Sequence, residues 1–222
     1  MLKCVPMPPP ATPSGSKRTG KRVRATAAGE TAERLLEAAM TAFMTDGFAG
    51  TDTNRIARAA GFAPQTFYRW YPDKVAIFIA CYHRWEQEER LMLDRARARG
   101  ADAHQLARVI VRHHRHYRHF RRSLRQLAVA HATVRAARAA SRQRQAEYLL
   151  SQHPHAGIGR DAVLVILFQI ERLADAHADD EGTDLALAPR VLLDAIAELV
   201  ARLAGGAPER PPPAQLVAGQ TP

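Results

Sequence analysis

Cysteine is scarce in this sequence, which has two, Cys4 and Cys81, among 222 residues. The two lie far apart, and neither has a histidine or a second cysteine at the spacing of a metal site. A disulfide framework is therefore not expected, and both thiols are predicted to be reduced. The same spacing argument predicts no bound metal.

Long apolar runs are also missing. The longest, residues 162–168, is far too short to cross a bilayer, which takes about 20 apolar residues in a helix. The amino-terminal segment is interrupted by Pro6, Pro8, Pro9 and Pro10, so no signal peptide is expected. These absences predict a cytoplasmic protein that does not bind a membrane.

Strand patterns and catalytic motifs are absent as well. No useful stretch alternates apolar and polar residues, whereas helical periodicity covers most of the chain and predicts an all-α fold of about nine helices. The sequence has no phosphate-cradling glycine loop, no serine or cysteine nucleophile with an identifiable base, and no paired carboxylates in a plausible cleft. We therefore predict that the protein is not an enzyme and carries no cofactor.

Acidic residues are outnumbered, with 22 Asp and Glu against 32 Lys and Arg, which gives a formal charge of +10. Such an excess suits a polyanionic partner. Charge alone leaves open nucleic-acid binding, attraction to a membrane surface, and an arginine-rich composition without a specific role. A spaced motif is needed to choose among them.

Residues 51–77 contain such a motif. Asp52 can cap a short helix, Gly61 ends it in a tight turn, and Pro64 favours the first position of a second helix predicted over 64–71. Two short helices braced across a glycine turn are typical of a helix-turn-helix, which presents its second helix to the major groove of DNA. The motif therefore favours DNA as the polyanion.

Residues 31–77 resemble the DNA-binding domain of the TetR family of bacterial transcriptional regulators. The residues that match its signature at fixed offsets are Thr51, Ile56, Ala57, Ala60, Gly61, Thr66, Tyr68 and Lys74. Matches at this many fixed positions are more specific than a short motif. The departures are Asp52, Thr53, Ala63, Gln65 and Tyr71. Asp52 places an anion near the DNA backbone, and Ala63 lacks a capping oxygen.

The resemblance implies that the second helix reads operator DNA. The residues expected at the interface are Thr51, Thr53, Asn54, Gln65, Thr66, Tyr68, Arg69 and Lys74. Gln65 begins the recognition helix, where a side-chain amide can pair with adenine, and Lys74 lies beside a helix N-terminus that attracts phosphate. Phe67 and Trp70 are expected to face inward.

The resemblance also implies a ligand-responsive repressor that binds a palindromic operator as a dimer and is released by a small-molecule effector. The predicted organisation is a disordered basic arm at 1–29, a DNA-binding domain at 30–77, a helical effector-binding and dimerisation domain at 78–205, and a disordered tail at 206–222. Helices are predicted over 31–46, 52–60, 64–71, 73–99, 102–118, 120–137, 139–152, 160–179 and 187–204. The cations of the arm are expected to strengthen DNA binding weakly by releasing counterions.

Dimerisation is predicted through residues 160–204. Both helices in this range carry a broad apolar stripe, more than one helix of a small domain can bury alone, although packing within one core is the alternative. Leu167 and Leu193 are expected at the contact. A twofold dimer would match a palindromic operator.

Residues 103–146 contain eleven arginines and no acid. Their partner could be an anionic effector, the operator backbone, or acids elsewhere in the chain. The acids considered are Glu86, Glu88, Glu89, Asp179, Asp180 and Glu181. Because guanidinium groups pair with carboxylate or phosphate, the effector hypothesis places an anionic small molecule on Arg112, Arg115, Tyr117 and Arg122.

Two other functions remain open. His113, His116 and His119 recur at every third position and could converge on a metal, as in a helical-bundle metalloprotein or enzyme. The interleaved arginines would repel a cation, which favours a solvated polar face instead. A non-specific nucleoid-type DNA binder is the third possibility, and it would show no preference for an operator over random DNA.

Overall fold

A computed structural model describes residues 16–154 and 157–205, with side chains described from residue 29 onward. These residues form the helices α1 (Ser16–Asp46), α2 (Thr53–Ala59), α3 (Pro64–Tyr68), α4 (Lys74–Ala98), α5 (Ala103–His116), α6 (Arg118–Ala130), α7 (Ala132–Gln152), α8 (Arg160–Ala178) and α9 (Pro189–Leu203), with a 3-10 helix at Thr183–Leu185. The all-α prediction is confirmed. No helix in the described part of the chain is long and apolar enough to span a bilayer.

The largest differences from the predicted helix boundaries occur at the start of α1 and between α6 and α7. Helix α1 begins at Ser16, so it runs into the segment predicted to be a disordered arm, whose many Ala, Arg and Lys residues are good helix formers. Residues 1–15 of the arm and the predicted tail at 206–222 lie outside the described residues. Helices α6 and α7 are separated at His131, where the backbone is extended, and not near residue 138. No glycine or proline marks that break.

Local capping sets the geometry of the helix-turn-helix. Asp52 accepts a hydrogen bond from the Arg55 backbone N–H at 2.8 Å, and Gly61 has a φ of +78°, which favours glycine. Any Cβ at Gly61 would lie 2.7 Å from the guanidinium of Arg34, which donates to the Ala60 carbonyl at 2.8 Å. The turn therefore needs glycine for its backbone conformation, and a side chain at this position would also displace the end of the Arg34 side chain.

One hydrophobic core joins helices α1 to α4 with α6. The Phe78 ring lies 5.1 Å from that of Phe43 in α1 and 4.7 Å from that of Phe120 in α6. The predicted domain boundary after residue 77 falls inside this core, since Ile77 and Phe78 are both fully buried in it. Movement of α4 or α6 would therefore be transmitted directly to the helix-turn-helix.

A second core joins α5, α8 and α9 with the ends of α4 and α7. Its fully buried side chains include Ile166 and Ile196. Leu167 and Leu193, which were predicted at a dimer contact, are half-buried and pack against this core. Part of the apolar stripe of each helix therefore serves the interior of the chain.

Candidate functional site

Helix α3 presents a polar face. Gln65, Tyr68 and Arg69 are exposed, with 55% of Tyr68 accessible, while Thr66 is half-buried. Phe67 is fully buried and fixes α3 against the rest of the helix-turn-helix. This arrangement agrees with the side chains predicted to face outward from the recognition helix.

Trp70 was expected to face inward, and that prediction is wrong. Its side chain is 38% exposed, because α3 ends at Tyr68 and the following turn changes the direction of the next side chains. Tyr71 takes the inner position, with its ring 5.9 Å from that of Phe67. Trp70 therefore lies on the surface immediately after the recognition helix.

A hydrogen bond links the two helices on the outer face. The hydroxyl groups of Thr53 in α2 and Tyr68 in α3 lie 2.9 Å apart. Asn54 is exposed beside Thr53. These three side chains form a polar surface together with Gln65, Thr66 and Arg69. We call this surface the reading face.

Thr51 and Lys74 do not belong to the reading face. Thr51 is 5% exposed, and its hydroxyl has no hydrogen-bond partner among the described residues. The Lys74 Nζ donates to the carbonyls of Phe48 and Thr51, each at 2.8 Å, and lies 4.1 Å from the centre of the Phe48 ring. Burial lowers the pKa of Lys74. Its ammonium therefore braces the helix-turn-helix, and we expect this structural role in place of the phosphate contact predicted from the sequence.

Lys74→Met is expected to destabilise the protein by about 1–3 kcal/mol, because it leaves two carbonyl groups without their donor. Chemical denaturation followed by circular dichroism measures this change. Arg190→Met, at an exposed position of α9, is the control and should change stability by less than about 0.5 kcal/mol. The salt dependence of DNA binding should stay the same. Loss of about one unit of salt slope in Lys74→Met would instead show that Lys74 contacts a DNA phosphate.

A large elongated cavity lies among α4, α5, α7, α8 and α9. Its volume is about 890 Å³. Its lining runs along α4 from Tyr82 to Arg97, about 22 Å at the rise of an α-helix. The apolar part of the wall is formed by Leu93, Leu106, Ile110, Leu167, Ile170 and Leu203. A cavity of this size and length can hold a chain-like small molecule.

The polar part of the wall is centred on Arg121, which is 1% exposed. Its guanidinium donates to Asp175 at 2.9 and 3.0 Å and to Glu171 at 2.6 Å, and it lies 4.5 Å from the centre of the Trp85 ring. Burial alone would raise the pKa of both carboxyl groups, but the charge of Arg121 holds each pKa well below its ordinary value. Arg121 therefore ties α6 to α8 behind the cavity.

His114 extends this buried network to α4 and α5. Its Nδ1 lies 2.9 Å from Asp175, and its Nε2 lies 3.3 Å from Glu89. Burial and the charge of Arg121 act to lower the pKa of His114, but the hydrogen bonds to Asp175 and Glu89 outweigh them and raise it. A carboxylate beside each ring nitrogen favours the imidazolium form, since the protonated ring presents an N–H on both sides.

The arginines of residues 103–146 pair mainly within the chain. Arg115 lies 2.6 Å from Asp180, and Arg122 lies 2.9 Å from Asp179. The further partners of Glu171 are Arg138 and Arg142. The alternative in which acids elsewhere neutralise this stretch is therefore supported, and four of those acids lie on α8 or immediately after it, namely Glu171, Asp175, Asp179 and Asp180.

The four residues predicted to hold a ligand do not line the large cavity. Arg115 and Arg122 are exposed and occupied by carboxylates, and the Tyr117 hydroxyl donates to Glu88 at 2.6 Å. Arg112 lines a separate depression of about 370 Å³. Among the arginines of residues 103–146, Arg121, Arg142 and Arg144 line the large cavity, and Arg121 is the most deeply buried of the three. The sequence signal that could have indicated a buried partner for Arg121 was Asp175, an aspartate within the apolar helix α8.

The histidine row does not form a site. His113 is buried and stacked on Trp85 at 5.1 Å, whereas His116 and His119 are exposed. The row is divided because α5 ends at His116 and α6 begins at Arg118. Across the described residues, no group of three His, Cys, Asp or Glu side chains could hold a metal ion. The metalloprotein alternative therefore has no geometric support.

Comparison with known proteins bears on the helix-turn-helix first. Residues 35–81 match the family model described as bacterial regulatory proteins, tetR family. Residues 35–81 therefore resemble the DNA-binding domain of the TetR family. The chain is 39% identical over 69 residues to the HTH-type transcriptional regulator RutR of Escherichia coli strain K12, which is 31% of this chain and 32% of RutR. The chain thus matches about a third of the length of its curated relatives.

The whole fold resembles solved TetR-family structures. A TetR-family transcriptional regulator from Rhodococcus sp. has a TM-score of 0.63 at 16% identity, covering 79% of this chain and 99% of that one. FadR of Thermus thermophilus, a TetR-family repressor solved in complex with lauroyl-CoA, has a TM-score of 0.57 at 21% identity, covering 82% of this chain and 98% of that one. At these identities the likeness shows a shared fold, helices α5 to α9 included.

Proposed function

We propose that the protein is a ligand-responsive transcriptional regulator that binds operator DNA through α3. The observation that carries this proposal is the reading face, a polar surface on α2 and α3, with α3 held in place by the fully buried Phe67. A helix presented in this way can enter the major groove, where side chains distinguish base pairs. A bacterial regulator of this kind meets its operator in the cytoplasm.

Within the reading face, we assign Gln65 to base recognition. It is exposed at the start of α3, where its amide can pair with an adenine edge. Tyr68 and Thr53 hold each other at 2.9 Å and are suited to phosphate contacts that set the orientation of α3. Asn54, Thr66 and Arg69 complete the interface.

Gln65→Ala is expected to weaken operator binding by about 1–3 kcal/mol and to change base preference at one position per half-site. Fluorescence anisotropy with operator variants measures both effects. Gln143→Ala, at an exposed position of α7, is the matched control and should bind like the wild type. Unchanged affinity and preference in Gln65→Ala would show that α3 is not the reading element.

We propose that the regulator acts as a homodimer through α8 and α9. Val165 and Phe168 of α8 are 55% and 53% exposed, and Val191 of α9 is 46% exposed. Large apolar side chains at this exposure, on two adjacent helices, favour a second copy of the chain as their cover. Leu167 faces the cavity instead, so Val165 and Phe168 replace it as the expected contact.

The cavity is the proposed effector site, and its shape favours a molecule with an apolar chain and an anionic head. The exposed side chains of the lining mark its mouth, and Arg90 and Arg144 are among them. Arg90 has no carboxylate partner among the described residues, and Arg144 is 53% exposed with Glu86 at 3.3 Å. Binding of lauroyl-CoA by the Thermus thermophilus relative makes long-chain acyl compounds the first to test.

Helix α4 is the proposed route from effector to DNA. It lines the cavity over most of its length, and it begins with the Asp73 cap and the Lys74 brace of the helix-turn-helix. If α4 can adopt two placements, a ligand that binds one of them more tightly would shift the population toward it. The spacing of the two reading faces in the dimer would then change. Release from the operator would follow, which is the behaviour of a repressor.

A further inference from the structure

Glu89 is an acceptor held inside the effector cavity. Its side chain is 13% exposed and lines the cavity wall. Among the described residues, the structure gives its carboxylate one hydrogen-bonding partner, the Nε2 of His114 at 3.3 Å. Burial alone would raise the pKa of Glu89, but the hydrogen bond and charge of His114 lower it, so this carboxylate is ionised.

A carboxylate can accept about four hydrogen bonds, and Glu89 uses few of them. Closing a purely apolar ligand over the remaining lone pairs would leave a buried charge without its hydrogen bonds, which is costly. A ligand that supplies a donor at this point avoids the cost. Sites built around a buried polar group reject analogues that lack the matching group far more strongly than sites that only sense size.

The donor should be neutral. The charge of Glu89 is already balanced by the His114 imidazolium, and Arg121 lies close enough to act on it as well. An ammonium group would bring a further cation into a wall that already contains Arg121 and Arg142. A hydroxyl or an amide N–H brings the hydrogen bond without that repulsion.

The position of Glu89 locates the donor along the ligand. Glu89 precedes Arg90 on α4, and Arg90 is exposed at the mouth while Glu89 lies further inward. We infer that the effector carries a neutral hydrogen-bond donor close to its anionic head, and that Glu89 selects it. This inference rests on the proposed effector site. The donor could be a hydroxyl near the carboxylate of an acyl chain or an amide N–H in the arm of an acyl-CoA.

Isothermal titration calorimetry with three probes tests the inference on the full chain. Dodecanoate has no neutral donor, 3-hydroxydodecanoate has a hydroxyl, and dodecanoyl-CoA has amide N–H groups. The wild type is expected to bind at least one of the two donor-bearing probes about tenfold or more tightly than dodecanoate. The probe with the larger preference identifies the source of the donor.

Variants assign the preference to Glu89. Glu89→Leu should remove it, and Glu89→Gln, which keeps the shape and half of the acceptor capacity, should reduce it if Glu89→Leu does not fold. Glu88→Leu is the matched control, because Glu88 faces Arg84 and Tyr117 and does not line the cavity. That control should keep the full preference.

The outcomes separate this inference from the proposed function. Equal binding of the three probes, or a preference that survives in Glu89→Leu or remains at full strength in Glu89→Gln, would overturn the role of Glu89 while leaving an acyl effector in place. Binding of none of them, with operator binding intact, would overturn both the acyl effector and the role of Glu89 but not the DNA-binding function.

Discussion

Arg121→Met is expected to destabilise the fold by about 3–5 kcal/mol, the largest effect of any single substitution considered for this protein. Arg121 is 1% exposed, and its removal leaves the buried Asp175 without its principal partner. Urea denaturation followed by circular dichroism gives the free energy of unfolding. Arg122→Met is the matched control, because the neighbouring pair with Asp179 involves a guanidinium that is 49% exposed and should contribute about 0–1 kcal/mol.

The pH dependence of unfolding gives a second readout of the same network. The pKa values of Asp175 and Glu171 are depressed in the folded state, so both groups contribute stability that is present above their unfolded pKa values and lost as the pH falls through their folded ones. The wild type should therefore lose stability below about pH 4 more steeply than Arg121→Met. Parallel acid profiles, or equal stability of Arg121→Met and Arg122→Met, would show that the network does not hold the helices together.

Val165→Asp is expected to convert the dimer to a monomer and to weaken operator binding strongly. The side chain is 55% exposed in the single chain, so the substitution costs little within one copy, but it places an unpaired charge in the proposed apolar interface. Analytical ultracentrifugation at micromolar concentration measures the state of assembly. Val129→Asp is the matched control, because Val129 of α6 is 82% exposed and lies outside the interface. A wild-type protein that sediments as a monomer would contradict the dimer.

The helix-turn-helix could be predicted from sequence because its signals are local. Asp52, Gly61, Pro64 and Asp73 each determine the backbone within a few residues, and all four act in the structure as their residue types suggest. Trp70 was misplaced because helical periodicity was extended past the true end of α3. An error of a few residues in a helix end is enough to move a side chain to another face.

The buried network could not be predicted because its contacts are distant in sequence. Arg121 bonds to residues 50 and 54 positions away, and sequence patterns report only neighbours within about one helical turn. In the sequence, an arginine of α6 that faces solvent cannot be distinguished from one that faces the interior. The same limit applies to Lys74, whose carbonyl partners precede it by 23 and 26 positions.

The reading face is expected to recognise a specific DNA sequence. Selection from a pool of random DNA duplexes at physiological salt tests this expectation directly, with the bound fraction sequenced after several rounds. We expect enrichment of one palindromic sequence, with two half-sites on one side of the duplex. Gln65→Ala should enrich a sequence altered at one position of each half-site. A bound pool no different from the starting pool would exclude sequence-specific recognition and identify a non-specific DNA binder.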